Sequence, residues 1–201
     1  MKALMRIACL VTASWMTACD GEQGPLPEDT AFSTQESPLV TATSQGCPFT
    51  LSYSTRAGFP PTYDVVLTRG TASSCPWPAA SVTIANSTQI PALELVGNSQ
   101  GVAAAYLIKS SFSGSSPVRA EVQGITPDTL QTVRTSGAAV YLGTSSIYSA
   151  IPSFEGNGTT LFLKGTKGGP LSPSEPAGYG YYLQVYRNFF TSTEAPTTAV
   201  Y

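Results

Sequence analysis

In six short runs of this sequence apolar residues recur at every second position. A run with that period can bury one face only as a β-strand. In "FTLSYS" (49–54), Phe49, Leu51 and Tyr53 share one side, while Thr50, Ser52 and Ser54 share the other. "YDVVLTR" (63–69) groups Tyr63, Val65 and Leu67, and "SVTIA" (81–85) groups Val82 and Ile84. "VRAEVQG" (118–124) sets Val118, Ala120 and Val122 against Arg119, Glu121 and Gln123. "TLFLKG" (160–165) and "YYLQVYRNFF" (181–190) continue the series, and "AAVYL" (138–142) is expected to be a strand buried on both faces. Gly, Pro, Asn and Ser clusters separate the runs every 8 to 15 residues. This spacing predicts an all-β fold, a single antiparallel β-sandwich or barrel-like domain over residues 46–201. About 155 residues suffice for one core, and neither a repeat nor a second domain is visible.

Residues 93–111, "LELVGNSQGVAAAYLIKSS", are the ambiguous part. Residues 101–112 contain good helix formers, yet the same run suits a central strand apolar on both faces; both readings stand. Gly97-Asn98-Ser99-Gln100-Gly101 fits G-x-S-x-G, the nucleophile-elbow pattern. A serine hydroxyl needs a base to take its proton. The chain has no His, and its flanks read as antiparallel β instead of βαβ units. A glycine-bounded turn between two strands is therefore expected, with no catalytic role for Ser99.

Without His, and with its cysteines otherwise engaged, the chain is expected to hold no metal and no cofactor. The acids of 46–201 are Asp64, Glu94, Glu121, Asp128, Glu155, Glu175 and Glu194, and no spacing singles out a pair of the glycosidase kind. Eight basic residues face these seven acids, so the domain is near neutral. Only 11% of the chain is charged, against about 25% for a typical soluble domain. No basic footprint for nucleic acid exists.

Binding, if any, is expected on one strip. Leu161 and Leu163 point inward, which turns Phe162 and Lys164 outward. In 181–189 the expected core parity is Tyr181, Leu183, Val185 and Phe189, leaving Tyr182, Gln184, Tyr186 and Asn188 exposed. Aromatic rings among amides and an amine suit sugar rings or a partner strand. The connection "GTKGGPLSPSEPAG" (165–178) is long and rich in Gly, Pro and Ser, as functional loops often are.

Cysteine usage separates the ends of the chain. Cys47 and Cys75 form an even pair in Cys-Pro steps, and a bridge between them is expected. It would close a loop of about 29 residues and stabilise by about 3.6 kcal/mol. The chain begins "MKALMRIACLVTASWMTACD": Lys2 and Arg6, then an apolar stretch over 7–18 too short to span a bilayer. Met16-Thr17-Ala18-Cys19 resembles the lipobox of bacterial lipoproteins, with Met16 where Leu is usual. The resemblance covers about 24 residues. It implies a signal peptide over 1–18, a lipidated (palmitate-bearing) Cys19 and a membrane anchor in the bacterial cell envelope, inner or outer membrane left open. Several chains on one residue hold stably where one does not. Residues 20–45 carry five acids, three prolines and no base, so 19–45 is expected to be a flexible acidic tether.

A second resemblance is to lipoprotein inhibitors of C-type lysozyme, small β-barrels with an "SGA-x-Y" stretch and a later "KG". Ser136-Gly137-Ala138-Ala139-Val140-Tyr141 and Lys164-Gly165 are similar, with one extra residue before Tyr141. The expectation from all these signals is a lipid-anchored envelope protein with a non-catalytic binding or structural role, its partner an envelope polysaccharide or protein. A carboxylate hydrolase of envelope glycans and a lysozyme inhibitor are the alternatives.

Overall fold

The computed structural model describes residues 39–141, 145–156 and 158–201. Cys19 and the residues up to 38 expected to form the signal peptide and most of the tether lie outside the described residues. Twelve antiparallel strands form three four-stranded sheets, and the fold is all-β and sandwich-like. Each sheet is a meander of consecutive strands. The first comprises β1 (Val40–Ser44), β2 (Cys47–Arg56), β3 (Thr62–Arg69) and β4 (Ala80–Ser87). The second comprises β5 (Ala92–Gly97), β6 (Val102–Ile108), β7 (Arg119–Ile125) and β8 (Thr132–Ala138). The third comprises β9 (Ile151–Phe154), β10 (Leu161–Thr166), β11 (Tyr181–Tyr186) and β12 (Thr197–Val200).

The tether reading ran through residue 45, but Val40–Ser44 is β1. Its Val and Thr residues favour an extended backbone, and the next two residues close a tight hairpin. Gln45 and Gly46 both have positive φ (49° and 78°), as a two-residue primed turn requires. The register opposes Ser44 to Cys47 and Val40 to Leu51.

The second sheet is covered on both faces at its central strand β6. Val102, Ala104, Tyr106 and Ile108 of β6 pack in one core with Phe49, Leu51, Val65 and Leu67 of the first sheet. Ala103, Ala105 and Leu107 pack in another with Leu161, Leu163, Tyr182 and Tyr186 of the third. All seven residues of β6 are buried. This settles 102–108, the middle of that run, as a strand and not a helix. A strand covered on both sides reads as an unbroken apolar run, and small alanines let both neighbours approach.

Facing in β2, β3 and β4 follows the alternation in the sequence. Gln123 does not: placed on the exposed face by parity, it is buried, donating to the Ile84 carbonyl at 3.1 Å and accepting from Thr132 at 3.0 Å. The strand expected at 138–142 is also displaced. β8 ends at Ala138, and residues 139–141 are not strand.

Cys47 and Cys75 form the expected disulfide, with Cα atoms 4.4 Å apart. It fastens the β3–β4 connection over the β1–β2 turn, where Ser74 Oγ donates to the Gly46 carbonyl at 2.7 Å. Arg69 is buried and ties β3 to the β7–β8 turn. Its guanidinium donates to the carbonyls of Pro78 (2.8 Å), Pro127 (2.6 Å) and Asp128, and lies over the Trp77 ring.

Candidate functional site

Gly97–Gly101 is a turn between β5 and β6, as expected. Asn98 organises it: its Oδ1 accepts from the amides of Gln100 (2.8 Å) and Gly101 (3.1 Å), and its Nδ2 donates to the Gly158 carbonyl. The Ser99 carbonyl holds Gln45 at 2.8 Å. A Cβ at Gly97 would collide with the Thr43 carbonyl, so this glycine lets β5 lie against β1.

The aromatic strip is inverted on β11. Directly opposed residues in an antiparallel pair share a face. β10 opposes Leu161 to Tyr186, Leu163 to Gln184 and Gly165 to Tyr182. Leu161 and Leu163 are buried, so Tyr182, Gln184 and Tyr186 are buried with them. Their polar ends are satisfied inside: Tyr182 donates to the Ser149 carbonyl (2.9 Å), Tyr186 to Gln184 Oε1 (2.7 Å), and Gln184 Nε2 to the Gly137 carbonyl (3.0 Å). Burial pushes both tyrosine hydroxyls above their ordinary value. Beside them, Arg134 stacks over the rings of Tyr186 and Phe189 and donates to the carbonyls of Ser192 and Glu194. Burial holds its pKa below the ordinary arginine value. Asn188 is exposed, but in the turn after β11, with a φ of 48° and its carbonyl accepting from Thr191 and Ser192.

Phe162 and Lys164 do face outward, half-buried and exposed respectively. Their true neighbours are the other parity of β11. The register sets Ile151, Lys164, Leu183 and Ala199 in one row across the sheet, and Ser153, Phe162, Val185 and Thr197 in the next. Tyr181 and Tyr201 close the face, 54% and 56% exposed, with ring centroids 5.7 Å apart and planes within 8°. The face therefore combines apolar side chains, two stacked phenols and one amine.

Below β12 lies a cleft of about 390 Å³ lined by Gly137–Ala139, Leu171, Ser172, Ser174, Glu175, Pro176, Gln184, Thr198 and Val200. Its outer wall is the β10–β11 loop. An ion pair fixes that loop from within: Lys167 Nζ contacts Glu175 Oε1 and the Tyr179 carbonyl (2.9 Å), and Glu175 Oε2 accepts from the Leu171 amide at 2.7 Å. Both side chains are buried, at 0% and 4% exposure. The sequence held a trace of this pair, two opposite charges in a stretch otherwise free of charge.

The remaining acids are dispersed. Glu121 accepts from Tyr106 (3.1 Å) and pairs with Arg119 (2.6 Å). Burial, with Glu121 beside it, pushes the Tyr106 hydroxyl up. Asp64 accepts from Asn86 and Arg56, which hold its carboxyl below the ordinary value. A hydrogen bond from the Thr129 backbone does the same for Asp128. Glu94 is exposed on β5. Among the described residues, no group of three His, Cys, Asp or Glu is placed to hold a metal. No protein-family model, no curated protein and no solved structure matches the chain.

Proposed function

We propose that the chain is a lipid-anchored cell-envelope protein with a non-catalytic role, and that it holds an envelope polysaccharide against the outward face of the third sheet. The observation that carries the reading is that face. Tyr181, Tyr201, Phe162, Leu183 and Val185 leave apolar and aromatic surface turned outward. Flat apolar surface set among hydroxyls and an amine complements sugar rings, which are apolar on their faces and polar at their rims. The lipobox-like segment ending at Cys19 supports anchoring. A binding role in place of hydrolysis is supported by the acids, since Glu121, Glu175 and Asp64 are each engaged by a cation.

Two experiments test this. Tyr181→Ala with Tyr201→Ala should reduce sedimentation with purified peptidoglycan or capsular polysaccharide at least tenfold, with the melting temperature nearly unchanged. Unaltered sedimentation would reject the face as the site, and binding to envelope proteins alone would reassign it. Cys19→Ala should move the protein from the membrane to the soluble fraction, and unchanged fractionation would reject the anchor.

A further inference from the structure

The edge of β12 carries an inference that goes beyond the outward face. Sheet edges expose unpaired backbone groups, and folded proteins blunt them with charge, proline, bulges or cover. Among the described residues, five of the six edges are treated in this way. β1 and β5 lie against each other at Thr43 and Gly97. β4 is bulged between its partners for Val65 and Val66, and its Ile84 carbonyl is taken by Gln123. β8 is bulged at its start, contains Arg134, and gives its Gly137 carbonyl to Gln184. β9 contains Pro152, which has no amide hydrogen.

β12 is different. Its shortness, four residues, is its one protection: "TTAV" has no charge, proline or bulge, and its register with β11 is regular. Tyr181 and Tyr201 exchange both backbone hydrogen bonds, at 2.9 and 3.2 Å. Such pairs alternate with non-bonded pairs along an antiparallel ladder. Ala199 and Thr197 therefore bond toward β11 as Tyr201 does. The amides and carbonyls of Thr198 and Val200 point the other way, off the edge of the sheet.

The cleft adjoins this edge. Thr198 and Val200 line it with their side chains, so a strand added to β12 would place alternate side chains over it. Its one acid, Glu175, is neutralised by Lys167, which leaves a cavity suited to an uncharged side chain. A volume of about 390 Å³ lies in the range of specific pockets. It is much larger than a threonine or valine side chain, so a second copy of β12 would fill it poorly.

We propose that β12 and this cleft form a strand-addition site for an extended segment of a partner protein, with an apolar side chain of that segment seated in the cleft. Backbone bonds to Thr198 and Val200 supply affinity, and the cleft supplies selectivity.

The test uses the full-length chain and labelled, capped heptapeptides of the form Thr-X-Thr-X-Thr-X-Thr, with X as Val, Leu, Phe, Lys or Glu. Fluorescence anisotropy should show binding for the apolar members, at least tenfold weaker for Lys and Glu. Val200→Pro removes an amide that points off the sheet and should weaken binding at least tenfold. Ala139→Trp fills the cleft from its opposite wall and should do the same, which keeps the test decisive if the proline variant misfolds. Absence of binding by every peptide, or equal binding by both variants, would overturn the proposal. So would a concentration-dependent dimer dissolved by Val200→Pro, which would assign the edge to a second copy.

Discussion

Gln184 donates to the carbonyl of Gly137, and that single bond joins the middle of the third sheet to the edge strand of the second. The same side chain accepts from Tyr186, so one amide satisfies a buried hydroxyl on its own strand and a half-buried carbonyl on β8. Gln184→Leu should cost about 2–4 kcal/mol, because a half-buried carbonyl and a buried hydroxyl both lose their partners. Tyr186→Phe should cost about 1 kcal/mol. Urea denaturation of both variants measures the difference, and equal costs would contradict the bridging role.

Alkaline stability should follow three hydroxyls. The folded-state pKa values of Tyr106, Tyr182 and Tyr186 lie above that of an ordinary tyrosine. A raised folded pKa means that their contribution is complete below the unfolded value of about 10 and declines as pH rises past it. Tyrosinate absorbance from these three should therefore appear only as the fold opens. Stopped-flow mixing to alkaline pH should resolve a delayed component that tracks loss of near-ultraviolet circular dichroism.

The Lys167–Glu175 pair should control the β10–β11 loop. Lys167→Met leaves a buried carboxylate unpaired, at a cost of about 3–5 kcal/mol if the loop stays closed. The loop should open instead, and limited proteolysis should then cut within 167–180. Adding Glu175→Gln, which retains an acceptor for the Leu171 amide, should restore resistance. Cleavage unchanged in Lys167→Met would show the pair to be dispensable.

Replacing both Cys47 and Cys75 by Ala should destabilise the domain by about 2–4 kcal/mol. Mass spectrometry of the unreduced wild type should show the linked peptide pair. The outward face should retain its binding in this variant, since the bridge lies in the first sheet.

Much of the fold was legible in the sequence because most strands face a core on one side only. "FTLSYS" and "YDVVLTR" alternate for that reason. β11 was not legible in the same way. In "YYLQVY" every position but Gln184 is apolar or aromatic, so a period of two cannot choose a face. Pairing with Leu161 and Leu163 makes the choice, across a loop too long to fix register from sequence. Gln184 itself misled, because a polar residue reads as exposed, and the carbonyl that draws it inward, that of Gly137, belongs to another sheet. β6 was ambiguous because a strand covered on both sides loses its alternation. β1 was hidden by the acidic, proline-containing stretch before it and by having only one large apolar side chain, Val40. The face bearing Tyr181 and Tyr201 depends on the same register and was missed with it, while Phe162 and Lys164 were placed by their own strand.

The central strand β6, buried on both faces, makes the two cores inseparable. Each meander pairs strands that follow one another in the chain, so hairpins form locally and early. The alanines of β6 gain their full cover only when both outer meanders have docked. Until then an uncharged, nearly continuous apolar run lies open, of the composition that seeds intermolecular β-aggregation. A premature stop codon before β10 would leave that state permanent. Such a product should collect in inclusion bodies, where full-length chains produced slowly at low temperature should not.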